Sequence, residues 1–282
     1  MARRRKSPKR NFAIPRVDSD MRPVLISSLL FGFAISYSRF YNATSISAGL
    51  YSFALATLVS YLLLIFVYRV FSKFLFYKNA EMTKNHNPTN YFFIIVLTIL
   101  TNGSVLFLDM MNFDLKFKRS YRPFLKEGWR SGLGYETAYR SALLVFLILL
   151  SSIVYLLHNS FDSIVTYYLL SILSWTLIWS AIPTSAIFSA FLMLGGAAWK
   201  NARLMVPETG GTKMLFANRR MWIFFGTLSL FWGIGLRMNL HILDVFMSSL
   251  VGAIFMLVLL LLVWDFRVST SRVFAGKKDV TK

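Results

Sequence analysis

Apolar residues fall into runs at 24–37, 48–68, 91–108, 142–157, 164–199, 221–236 and 245–264, separated by polar, charge-bearing stretches. Several approach the roughly 20 residues that a helix needs to cross the hydrocarbon core of a bilayer. The run 164–199 is too long for one crossing. It contains Pro183, which lacks an N–H and clashes with the preceding turn, so a break is predicted near Ile182-Pro183. The run 91–108 is interrupted by Thr101-Asn102-Gly103-Ser104, a turn signature. Irregular backbone at membrane depth is tolerated only when buried in protein or lining a wet cavity. A re-entrant segment is therefore expected there, with a kinked full span as the alternative. The pattern predicts an all-α, polytopic helical membrane protein. Its parts are a basic arm at 1–23, one transmembrane domain at 24–264 and a basic tail at 265–282.

Charge bears on the number of crossings, because cytoplasmic loops accumulate Lys and Arg. Eight crossings with the N-terminus inside leave nine of the 31 Lys and Arg outside, mostly in "KFKRSYRPFLKEGWR". If 91–108 and 184–199 do not cross, six spans leave only Arg39 and Arg237 outside. The expectation is six spans plus two re-entrant or broken segments, with both termini cytoplasmic, in the plasma membrane of a prokaryote. Eight spans is the alternative.

Composition agrees with a membrane protein. The chain is 56% hydrophobic and only 15% charged, where a soluble domain is about a quarter charged. Its net charge of +19 would suit nucleic acid, but the orientation rule accounts for it and no nucleic-acid partner is expected. Anionic lipid headgroups are the expected partner of the arm, at about 1 kcal/mol per near-surface cation. A cleaved leader is not expected, since Val24–Tyr37 runs into Ser38-Arg39-Phe40 rather than a small-x-small site. With no cysteine, disulfides, cysteine-bound zinc and thiol catalysis are excluded.

Candidate chemistry is sparse. Of His86, His158 and His241, only His241 pairs with a carboxylate at helical spacing, Asp244 in "HILD". Two donors fall short of the three that catalytic zinc usually takes, so no metal and no cofactor are expected, and Asp244 suits a helix N-cap. Asp109 and Asp114 flank "MMNF" at a boundary where water is expected to reach them. No span carries a charge at its centre, which weighs against a proton-coupled transporter.

One constellation goes further. "LSWTLIWSAIP" ends an apolar run at Pro183, and "GGTKMLFANRRMWIFFGTLSL" follows after an insertion. Together they resemble the site-2 protease family of intramembrane zinc metalloproteases, especially its archaeal members. In that family a span ending in N-A-W-L-A-L-F-N-L-I-P leads to L-D-G-S-K, then N-R and another span. Trp175, Ile182-Pro183, Gly211, Lys213, Asn218, Arg219 and Trp222 fit this pattern. The family's H-E-x-x-H-K-F falls on Tyr68-Arg69-Val70-Phe71-Ser72-Lys73-Phe74. Tyr68 and Ser72 thus replace both histidines and Arg69 the glutamate, while Gly210 replaces the aspartate of D-G. The resemblance implies a degenerate site at Tyr68, Arg69, Ser72, Ser180, Pro183, Gly210, Gly211 and Lys213, with no catalytic residue. A guanidinium accepts no proton, and zinc hydrolysis needs both ligands and a base.

The expected function is accordingly that of a non-catalytic, site-2-protease-like scaffold that binds or regulates other membrane proteins. A small-solute or lipid transporter with broken helices is the alternative, since paired broken helices mark transporter sites. An anchor for a cytoplasmic partner through the basic arm is a third.

Overall fold

The computed structural model describes residues 21–43, 45–71, 80–84, 87–117, 129–185, 187, 207 and 209–276. Ser72 and most of 184–199 therefore lie outside the described residues. Helix α1, Arg22–Tyr41, carries a proline in its first turn. Helix α2, Ile46–Ile65, opens at Ser45, whose hydroxyl accepts the Ala48 N–H at 3.3 Å. It runs directly into a π-helical turn at Phe66–Phe71.

The run 91–108 does not form one helix. Helix α3, Pro88–Leu100, has 13 residues and is capped by Asn87, whose Oδ1 accepts the Thr89 N–H at 3.0 Å. At about 1.5 Å per residue it rises roughly 20 Å, short of the roughly 30 Å hydrocarbon core. A turn follows in which Asn102 and Gly103 both have positive φ, 50° and 74°. Thr101 Oγ1 locks it, donating to Leu97 O at 2.7 Å and accepting the Val105 N–H at 3.1 Å. The chain then returns as a non-helical segment, 105–112, buried from Leu106 to Asn112.

The all-α expectation holds for the architecture, with one short ribbon beside the helices. Strands β1 (Ala80–Lys84) and β2 (Phe113–Phe117) pair antiparallel, with Lys84 opposite Phe113. Strand β2 reads F-D-L-K-F, a two-residue alternation that is itself a strand signal.

Helix α4 spans Trp129–Phe161 and begins well before the apolar run at 142. Helix α5, Ile164–Ala181, stops ahead of Ile182-Pro183, where the proline predicted a break. Helix α6 is Gly210–Ala217. Helix α7, Arg219–Arg237, is capped by Asn218 Oδ1, which accepts the Arg220 and Met221 N–H groups. Helix α8, Ile242–Gly276, continues past 264 into the expected tail, and Asp244 lies in its first turn instead of capping it.

Among the described residues, five helical stretches are long and apolar enough to cross a membrane: Arg22–Tyr41, Ile46–Arg69, Ala138–Phe161, Ile164–Ala181 and Ile242–Leu259. Helix α1 packs along α2, and α7 packs against both α5 and α8. Helix α5 is the most enclosed of the five, with 61% of its span buried against 17% for α8. The core therefore lies around α5, and α8 sits at the edge.

Candidate functional site

The returning segment 105–112 is the hub of a polar network inside the bundle. A non-helical stretch has no helical ladder to satisfy its carbonyls, and buried carbonyls need donors. Here side chains from four elements supply them, and a fifth reaches the carbonyl of the adjoining Phe113. Trp179 Nε1 on α5 donates to Leu106 O at 2.6 Å, and Lys84 Nζ on β1 to Asp109 O at 2.7 Å. The Tyr68 hydroxyl, in the π-helical turn, donates to Met110 O. Arg140 on α4 donates from Nη1 to Met111 O at 2.7 Å and from Nη2 to Phe113 O at 2.8 Å. Its guanidinium also lies over the Phe113 ring, 4.2 Å from the centroid. Lys213 Nζ on α6 reaches Phe113 O at 3.2 Å.

The Asp109 carboxylate ties this hub to α6. Oδ2 accepts the Gly210 N–H at 2.9 Å, and Oδ1 accepts the Met111 N–H at 2.8 Å. The approach at α6 is close enough to exclude side chains at its first two positions. A Cβ on Gly210 would collide with Met111, and one on Gly211 would stand 2.5 Å from Ser180 O. Threonines complete the seam. Thr209 Oγ1 donates to Ile182 O at 2.6 Å, and Thr184 Oγ1 donates to Pro207 O at 2.7 Å. The break at Pro183 thus serves to bring the end of α5 against the start of α6.

Five expected site positions gather here: Tyr68, Ser180, Gly210, Gly211 and Lys213, with Pro183 adjacent. Arg69 does not join them, because it follows Tyr68 on the π-helical turn and is exposed. Asp109 corrects the expectation of a wet boundary, being 3% exposed. Arg140, wholly buried, is a functional candidate that the sequence pattern placed in a loop. Lys84 was also missed. Lysine and arginine at the ends of apolar runs are ordinary, so only the fold shows that these two point inward.

Burial pushes the Lys84 ammonium down to about 8, opposed by the nearby Asp109 carboxylate and reinforced by Lys213. Burial likewise pushes the Asp109 carboxyl up, while Lys84, the two amide hydrogen bonds and Arg140 pull it the other way. The single carboxylate already accepts two amide hydrogen bonds and stands among three cationic side chains. Like charges repel in proportion to proximity and low dielectric, so this donor set is poorly suited to a divalent metal. Among the described residues, no three His, Asp or Glu side chains come together.

No family model, curated protein or solved structure matches this chain.

Proposed function

We propose that this is a non-catalytic membrane protein on a site-2-protease-like scaffold, which binds or regulates other membrane proteins. The observation that carries the reading is the meeting of Tyr68 and Gly210 on one segment, 109–111. These are the positions that the resemblance aligns with a metal-binding histidine and aspartate, and they lie far apart in the chain. At that meeting point a phenol and a peptide N–H stand where metal ligands would be needed. In this reading the polypeptide crosses the membrane six times with both termini cytoplasmic, in a prokaryotic plasma membrane. Helix α7 supplies the crossing beyond the five long apolar stretches, and 91–108 is re-entrant.

The test is metal analysis of the purified full chain beside a Tyr68→His, Arg69→Glu, Ser72→His triple variant. The expected result is no stoichiometric zinc in the wild type and bound zinc in the variant, with Asp109 as a nearby carboxylate. Stoichiometric zinc in the wild type overturns the lost-site reading. A folded variant that takes up no zinc removes the support for the scaffold.

A further inference from the structure

Beside the polar network lies a cavity bounded by α1, α3 and the returning segment. Its walls include Ser27, Lys84, Asn90, Asp109 and Asn112, together with Phe31, Tyr91, Ile94 and Phe107. The space open to the centre of a water-sized sphere is about 10 Å³, close to the least that one water requires. Asn112 is 1% exposed, and its Oδ1 has no hydrogen-bond partner. A buried acceptor left unpaired is costly. Lys84 Nζ carries three N–H donors, one of which goes to Asp109 O.

The occupant of this cavity must donate to Asn112 Oδ1 and accept from an ammonium. A metal cation could coordinate Asn112 Oδ1, but it accepts nothing from an ammonium and is repelled by Lys84. A halide can accept from Lys84 but gives Asn112 Oδ1 nothing and faces the Asp109 carboxylate. Water does both. We propose that the cavity is a hydration site for a single water, which donates to Asn112 Oδ1, accepts from Lys84 Nζ and has the Ser27 hydroxyl as its third neighbour. That water supplies solvation that lets Lys84 stay charged within the bundle, alongside the favourable Asp109 carboxylate. The inference does not depend on the protease-like reading.

A structure of the full chain in lipid nanodiscs, at a resolution that shows ordered water, tests the site directly. One density peak within hydrogen-bonding reach of both Lys84 Nζ and Asn112 Oδ1 is expected. An empty cavity, or a peak that exchanges for bromide, overturns the proposal. A second measurement follows Lys84 by competitive amine labelling across pH. Asn112→Leu fills the cavity and removes the water's acceptor, so the labelling midpoint of Lys84 falls by one pH unit or more. Asn112→Ser keeps an acceptor and space, and its midpoint stays near that of the wild type. An unchanged midpoint in folded Asn112→Leu refutes the site, as does an equal fall in both variants. If Asn112→Leu does not fold, the nanodisc structure and the serine variant still decide the matter.

Discussion

Arg140 and Arg69 place the same guanidinium in opposite environments. Arg140 is fully enclosed and donates to one carbonyl of the returning segment and to that of Phe113 in β2, while Arg69 is exposed at the end of its helix. Hydrogen bonds from charged donors are among the stronger ones, and a buried carbonyl that loses its donor is penalised. Arg140→Met is expected to cost about 2–4 kcal/mol, and Arg140→Lys part of that, because an ammonium cannot span two acceptors as the guanidinium fork does. Arg69→Leu should stay within about 0.5 kcal/mol, as surface changes usually do. Thermal unfolding in detergent measures all three, and a large loss for Arg69→Leu would place that side chain in a buried pair. Lys84 gives a pH signature. Its folded value is depressed from 10.5 to about 8, so burying it favours the neutral form. The stability it contributes is complete above pH 10.5 and is lost as pH falls through 8. Across that window the folded wild type should gain about 3 kcal/mol, a gain that Lys84→Met abolishes. Equal pH profiles for the two proteins would show that Lys84 is solvated like a surface lysine.

At the scale of elements, the decisive features are short and irregular. Helix α3 stops after 13 residues because Thr101–Ser104 offers a turn in which Asn102 and Gly103 readily take positive φ. The turn was legible in the sequence. The β1–β2 ribbon left a trace in the alternation at 113–117 and over the first four residues of β1, A-E-M-T, but strands this short need a partner to be recognised. The π-helical turn at Phe66–Phe71 has no sequence signature, yet it marks the site: insertions of this kind recur at functional positions. Helix α6 depends on its first two glycines. Gly210→Ala is predicted to lose about 1–3 kcal/mol, the usual range for overpacking, because Met111 would have to move and the Asp109–Gly210 hydrogen bond would stretch with it. Parallel unfolding of Gly210→Ala and Asp109→Asn checks this. A neutral Gly210→Ala would show that the seam between α6 and 109–111 is loose.

For the whole molecule, the central issue is sidedness. Lys84, Arg140 and Lys213 converge on one network, and by the six-span reading all three belong to the cytoplasmic end. Arg39, assigned to the opposite side, packs over Tyr167 at the start of α5, 4.9 Å from the ring centroid. Single cysteines at Ser120 and Ser131 test the arrangement without competition, since the chain has no cysteine of its own. A membrane-impermeant maleimide should leave both unlabelled in intact cells and label both in inverted vesicles. Strong labelling from outside intact cells would restore eight crossings.

Hydrophobic patterning alone determined that this is a helical membrane protein, where its apolar segments lie and where two of them break. Those outcomes follow from local physics: the solvent that each run prefers, and the backbone limits that Pro183 and Asn102-Gly103 impose within a few residues. The convergence of Tyr68, Asp109, Arg140 and Gly210 was decided only by tertiary structure. They lie dozens of residues apart in the chain, and a lone Arg or Asp at the edge of an apolar run reads the same whether it faces water or the core. What fixes its direction is the returning segment, whose buried carbonyls take donors from α4, α5, β1 and the π-helical turn.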